Sequence, residues 1–307
     1  MNYGKQGITN QQKKLRSKSR RIHSFIRVTS FRLLLIAVVV CFAAGCCAGY
    51  GIYKGIISKA PSLDTISVVP TSYATTIYYN DGETIAKTLA SSGSNREYVE
   101  YKNISKYAIY AFVALEDERF FDHNGIDVRS IFRAAFTDLV SGEDAGASTI
   151  TQQLIKNQVF EGGNESLFID KMTRKLQEQY LAVELESYVS KEKILEYYLN
   201  TINLGNGSYG IEKASEKYFG KSASELTISE AAVLAPIAYS PTLMNPVTYP
   251  EANKERRAAT LKNMLEQKWI TQTEYDEAVA DTDGVYERIL IQSQTTSTTS
   301  DTSTNSY

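Results

Sequence analysis

Between Arg32 and Lys54 the chain reads LLLIAVVVCFAAGCCAGYGIY, without one charged side chain. About 20 apolar residues suffice for a helix that crosses the hydrocarbon core of a bilayer. A helix also satisfies its backbone polar groups internally, as lipid demands. Residues 33–57 are therefore predicted to form one transmembrane helix. Residues 1–63 hold 11 Lys/Arg and no Asp or Glu, which leaves 22 Lys/Arg against 35 Asp/Glu in the remainder. Basic residues ahead of a span favour its N-terminal side in the cytoplasm, so everything after Lys59 is expected outside. Residues 1–32 read as a basic cytoplasmic arm, expected to be disordered beside anionic head groups. Two alternatives are a cleaved signal peptide, for which no clear A-x-A site follows, and a lipid anchor at Cys46 in AAGC, which lacks the usual Leu.

All three cysteines (Cys41, Cys46 and Cys47) fall in the apolar run, which excludes a disulfide framework or thiolate zinc site in the outer body. The two histidines, His23 and His123, fall on opposite sides of the span, which excludes a multi-histidine metal site. An acidic body offers no footprint for nucleic acid, and none is expected as a partner.

Residues 58–100 read as a juxtamembrane segment with a β-hairpin, its turn at Asp81-Gly82 between β-forming runs. Residues 101–290 form a mainly helical domain. ISKYAIYAFVALEDERFF carries apolar residues at helical spacing as far as Asn124-Gly125. IDVRSIFRAAFTDLVSG is a second helix closed by Gly142, and STITQQLIKNQVF a third, capped by Ser148. MTRKLQEQYLAVELES, SKEKILEYYLNTINLG, LTISEAAVLAPIA and ANKERRAATLKNMLEQKWI continue the series. Residues 291–307 are a Ser/Thr-rich tail, expected to be disordered.

Three stretches could carry chemistry. In STITQQLIKN, the positions Ser148, Gln152 and Lys156 recur at i, i+4 and i+8, with Thr149 and Gln153 alongside. A capped helix start followed by a cation suits an anion such as a phosphate; a solvated face is the plain alternative. In MTRKLQEQ, Arg174 and Glu178 are i, i+4 partners with Lys171 and Lys175 near, which on a surface would be an ordinary ion pair. In ALEDERFFDHNG, Glu116, Arg119, Phe120 and His123 share one face of the expected helix. A carboxylate pressed against aromatic surface becomes a stronger base near neutrality. A helix acid paired with Arg119 is the alternative. Asp117 and Glu118 look structural.

EDERFFDHNG, GASTITQQLIKN, RKLQE and KEKILEYYLN occur in that order, followed by YGIEKASEKYFGK, LTISEAAVLA and SPTLMNP. Together they resemble the peptidoglycan glycosyltransferase domain of class A penicillin-binding proteins and their monofunctional relatives, glycosyltransferase family 51. The resemblance spans roughly Thr75 to Ile270, and the ordered set is far more specific than any one motif. Two departures stand out. Ala147 replaces the usual second glycine ahead of Ser148-Thr149, and FEGGNESLFIDKM is longer and less basic than the family's link, leaving Lys171 as a substitute for its usual extra cation.

The resemblance implies a lysozyme-like, mainly α fold tethered to the bacterial cell membrane by a single span. It implies lipid II and a growing glycan chain as substrates, joined by inverting β-1,4 transfer with release of polyprenyl pyrophosphate. Glu116 would be the general base. Glu178 would be the second acid, either assisting departure or coordinating a divalent cation (Mg or Mn) held with pyrophosphate. Lys156 would hold the leaving pyrophosphate. Ser148, Thr149, Gln152 and Gln153 would position sugar and phosphate, Arg119, Arg133, Arg174 and Lys175 would add positive charge, and Phe120 would dry the base. No organic cofactor is implied, and other cell-wall synthesis proteins are further expected partners. Val159, Phe160, Leu167, Phe168 and Ile169 would suit a flap at the lipid surface, or plain core packing.

Ser190–Lys193 matches S-x-x-K, but no K-T-G follows and the match falls within a helical motif. No transpeptidase activity is expected of this chain, whether monofunctional or the first part of a longer protein. The rival readings are a glycan-cleaving muramidase or lytic transglycosylase, for which pyrophosphate-binding cations have no use, and a membrane-anchored scaffold without turnover.

Overall fold

A computed structural model describes residues 4–16, 18–63, 75–78, 85–89, 95–142, 146–160, 162–163 and 165–303. The chain divides into two units, Met1–Lys59 and Ala60–Tyr307. The first comprises helices α1 (Lys5–Arg16) and α2 (Lys18–Ile57). The basic arm expected to be disordered is thus helical where described; from Lys18 on it belongs to α2, where a helix seeded in the apolar run propagates cheaply into neighbouring residues, and α1 is a separate helix ahead of it. Residues Ile22–Ile57 are long and apolar enough to cross a membrane. Leu33, Leu34, Val39 and Phe42 are all exposed, as suits a helix whose solvent is lipid.

In the second unit, β1 (Thr75–Tyr78) pairs antiparallel with β2 (Ile85–Leu89). The turn expected at Asp81-Gly82 lies outside the described residues. β3 (Asn95–Arg96) runs parallel to β4 (Ser208–Tyr209). The rest is helical: α3 (Lys106–Glu116), α4 (Val128–Ser141), α5 (Ile150–Val159), α6 (Phe168–Glu186), α7 (Lys191–Leu199), α8 (Ile211–Phe219), α9 (Ile228–Tyr239), α10 (Pro250–Glu266), α11 (Gln272–Ala280) and α12 (Thr282–Ser303).

The core forms around α9, whose residues from Ser229 to Ile237 are all buried. It begins in a capping box: Thr227 Oγ1 accepts from Glu230 N while the Glu230 carboxylate accepts from Thr227 N. α9 packs on α3 and α10, and α5 packs on α6 and α7. A polar brace runs through the second group. Thr151 donates to Glu186, Lys191 pairs with Glu186 at 2.7 Å, and the same ammonium lies 4.2 Å from the centre of the Phe120 ring.

Several boundaries differ from the sequence reading. α3 ends at Glu116, not near Asn124, because the Asp117 side chain is drawn away to Ile150 N and His123 Nε2, each at 3.0 Å. The cap of α5 is Thr149, whose Oγ1 accepts from Gln152 N; Ser148 lies outside the helix. Ser190 is the cap of α7, accepting from Lys193 N, so the S-x-x-K match has a plain structural explanation. α12 continues to Ser303, so the tail expected to be disordered is helical as far as it is described. Its first turns are anchored by the buried Val285, Tyr286 and Ile289, and extension from an anchored helix costs little.

Candidate active site

A groove of about 940 Å³ is lined by the end of α3, the start of α4, one face of α5, part of α6 and one face of α10. Glu116, Lys156 and Glu178, which stand 62 positions apart at the extremes of the sequence, all border it, together with Arg133, Ser148, Thr149, Gln152, Gln153 and Lys175.

Glu116 is the last residue of α3, where carbonyls lose their helical partners. Two side chains, one in the last turn of α10 and one on the residue that caps it, satisfy one of these. Gln267 Nε2 and Asn263 Nδ2 donate to Ala114 O at 3.0 and 3.3 Å. The carboxylate is thus carried on a pinned helix end. It is half-buried, presenting an edge to the groove while dense protein surrounds the rest. Burial pushes its carboxyl above the ordinary glutamate range. The hydrogen bond from Gln153 Nε2 to Oε2 at 2.8 Å and the charge of Arg256 oppose that rise, and neighbouring Asp117 adds to it. An acid with these surroundings keeps its proton to higher pH than a solvated glutamate does and is a stronger base once ionised.

In the same lining, Glu178 is fully buried and held by two cations. Arg174 Nη1 bonds its Oε1, and Lys175 Nζ lies 3.2 Å from its Oε2. Arg174 also grips Glu165 at 2.8 Å. Lys175 donates to Ser148 Oγ at 2.6 Å. Burial lowers the Lys175 pKa against the pull of Glu178, and the positive charges of Arg174 and Lys156 lower it further. Lys156, Arg174 and Lys175 therefore share one local field. Such a field favours an incoming anion and stabilises negative charge that develops beside it.

A directly ligated divalent ion does not fit Glu178 as it stands, because both carboxylate oxygens already face cations. Among the described residues, no cluster of three or more His, Cys, Asp or Glu side chains could hold a metal.

Other candidates are placed differently from the sequence reading. The α5 helix end does not offer free N–H groups at Ile150 and Gln152, since Asp117 and Thr149 occupy them. Arg119 is turned to Asp127 Oδ2 at 2.7 Å and Ser130 Oγ at 3.1 Å, and is neither a groove residue nor the partner of Glu116. Phe120 is fully buried, packed against Phe121 and His123; it supports the turn after Glu116 without reaching the groove. Arg174 pairs with Glu178 and is not in the lining. Lys171, the substitute cation, is exposed and not in the lining. Arg133 borders the groove from α4, 4.0 Å from Glu118.

The sequence reading missed Arg256, Asn263 and Gln267, which face the groove from α10. They recur at i, i+7 and i+11, a polar stripe along one helix face that periodicity alone could have flagged. It also missed Tyr198, whose hydroxyl donates to Gln153 Oε1 at 3.1 Å.

The assembled features define a class: a mainly α protein with one membrane-compatible N-terminal helix and a groove bordered by a half-buried acid and a cation-bound second acid. The family model described as Transglycosylase matches residues 81–265, and the chain belongs to that family. Penicillin-binding protein 1A of Clostridium tetani is 37% identical over 274 residues, covering 86% of this chain and 33% of that protein. Penicillin-binding protein 1A of Escherichia coli K12 is 38% identical over 248 residues, covering 80% of this chain and 28% of its own length. The chain thus spans about a third of the length of the curated relatives it matches. A crystal structure of penicillin-binding protein 1A from Haemophilus influenzae shares 26% identity, covering 68% of this chain and 20% of that one at a TM-score of 0.37.

Proposed function

We propose that this chain is a peptidoglycan glycosyltransferase that polymerises lipid II into β-1,4-linked glycan strands. The observation that carries the reading is the convergence of Glu116, Glu178 and Lys156 on one groove in a chain of the Transglycosylase family. Glu116 removes the proton from the 4-hydroxyl of the acceptor sugar. The hydroxyl oxygen attacks C1 of the donor from the face opposite the pyrophosphate, and the C1–oxygen bond to pyrophosphate breaks with inversion. Negative charge grows on the departing polyprenyl pyrophosphate, where Lys156 and Lys175 stabilise it; preorganised cations of this kind are typically worth about 10²–10³ in rate. Glu178 holds Arg174 and Lys175 in place. Its buried, doubly paired state favours this over ligation of a Mg or Mn ion.

The lipid tail of the substrate requires a catalytic unit at the bilayer surface. The N-terminus is cytoplasmic and the catalytic unit extracellular in this reading, as the basic flank of α2 favours. Two apolar surfaces suit contact with lipid. On α4, Phe132, Phe136, Leu139 and Val140 are exposed, and at the start of α6 so are Leu167, Phe168 and Ile169. For Val159 and Phe160 the alternative of core packing applies, since both pack against the core. The growing glycan chain and other cell-wall synthesis proteins are the remaining partners.

Incubating the full chain with labelled lipid II, and separately with finished glycan, tests the reading. Lipid II should be converted to polymer with release of polyprenyl pyrophosphate. Cleavage of finished glycan alone would favour a lytic enzyme, and inertness toward both would favour a scaffold.

A further inference from the structure

Gln153 lies between two groups with opposite needs. Its Nε2 donates to Glu116 Oε2, and its Oε1 accepts from the Tyr198 hydroxyl. A primary amide fills nearly the same space when turned over, but its donor and acceptor then exchange places. Turned, the amide carbonyl would face the Glu116 carboxylate. Two acceptors repel each other, so that arrangement suits only a protonated Glu116.

Tyr198 opposes the turn. It is fully buried in α7, with its ring edge-on to Phe112 at 6.3 Å, so it cannot follow a rotated partner. Turned, the amide could still donate to the phenol oxygen, but the phenol proton would lose the acceptor it has in Gln153. Burial and the charges of Glu116 and Asp117 keep the phenol neutral and therefore a donor.

We infer that Tyr198 is a positioning residue for the base: through Gln153 it fixes an N–H toward Glu116, orienting the carboxylate and favouring its ionised form. This rests on the reading of Glu116 as the general base. The charged groups bearing on Glu116 come from several elements. Asp117 follows it and is engaged by His123 and Ile150 N, and Arg256 acts from α10. Tyr198 stands behind Gln153, while Lys156, Glu118, Glu266 and Tyr239 border the same groove.

The test is the pH dependence of kcat/KM for lipid II polymerisation by the full chain in detergent. The variants are Tyr198→Phe, Gln153→Met, both together, and Glu116→Gln. Removing the pin or the donor favours the protonated acid, so activity should be lost at higher pH on the acid side in both single variants. Above that limb the rate of Tyr198→Phe should stay within about tenfold of the parent, the scale of one buried hydrogen bond; Gln153→Met is read by the position of its acid limb alone. The double variant should match Gln153→Met alone, because Tyr198 acts only through Gln153. An unmoved acid limb in Tyr198→Phe, or an added shift from Tyr198→Phe in the Gln153→Met background, overturns the inference. If Tyr198→Phe does not fold, Gln153→Met decides: a raised limb supports the relay and an unmoved one overturns it. Polymerisation by Glu116→Gln would overturn the base reading itself. An inert Glu116→Gln beside an unmoved Tyr198→Phe limb overturns only the positioning role.

Discussion

Glu116 is half-buried at the end of α3, and burial has opposite consequences for stability and for catalysis. A carboxyl whose pKa is raised in the folded state contributes stability that is present at low pH and lost as pH rises through the folded value. At neutral pH the ionised Glu116 therefore weakens the fold. Glu116→Gln should raise the melting temperature at pH 7, the gain shrinking as pH falls below the ordinary glutamate range; thermal unfolding at the two pH values checks this. Catalysis moves the other way. The ionised base is lost as pH falls through the same raised value, so the acid limb of kcat/KM should lie above that of an ordinary glutamate. Lys156 borders the same groove and, in the proposed mechanism, faces the leaving group. Lys156→Met should lower kcat by about 10²–10³, the typical loss when a charge-stabilising group is removed, as single-turnover kinetics would show.

Among the elements, the junction of α3, α5 and α6 depends on one glycine. Gly125 has φ +81°, and an added Cβ would lie 2.6 Å from the backbone of Ala182 in α6. Its carbonyl also accepts from Thr149 Oγ1 at 2.8 Å and from Gln152 Nε2 at 3.2 Å. Gly125→Ala combines backbone strain with overpacking and should cost about 3 kcal/mol in a denaturation experiment. The same junction shows what was legible in the sequence. The helices of the body could be read from periodicity, and the pairing of Arg174 with Glu178 from i, i+4 spacing. The end of α3 could not, because EDERFF continues the helical pattern. Its true stop comes from Asp117 bonding Ile150 N, 33 positions along the chain. The cap of α5 was misplaced by one residue for a similar reason. Ser148 and Thr149 are both good caps, and Ser148 is drawn off by Lys175 of α6. Arg256 and Arg257 are adjacent with nothing local to separate them. Yet the first borders the groove, while the second is buried and donates to Ser229, Ala278 and Thr282. Long-range partners decided each of these cases, and a single sequence does not display them.

At the scale of the whole molecule, the proposed activity needs a catalytic unit that meets its substrate in a bilayer. Phe132 and Phe136 are 73% and 67% exposed on α4, so replacing both with Glu should leave the fold intact. Each Phe buried in lipid is worth about 1.5–3 kcal/mol. The double variant should therefore lose tenfold or more in turnover of vesicle-embedded lipid II, yet change little with a short-chain, water-soluble analogue. Equal losses on both substrates would place α4 in folding or sugar binding instead. The central claim concerns Glu116 and is tested most directly by glycan polymerisation from lipid II with the folded Glu116→Gln chain. The replacement keeps the shape of the side chain and removes the base. The account predicts a fall of about 10²–10⁴ in rate with substrate still bound; polymer formed at the parental rate would contradict it.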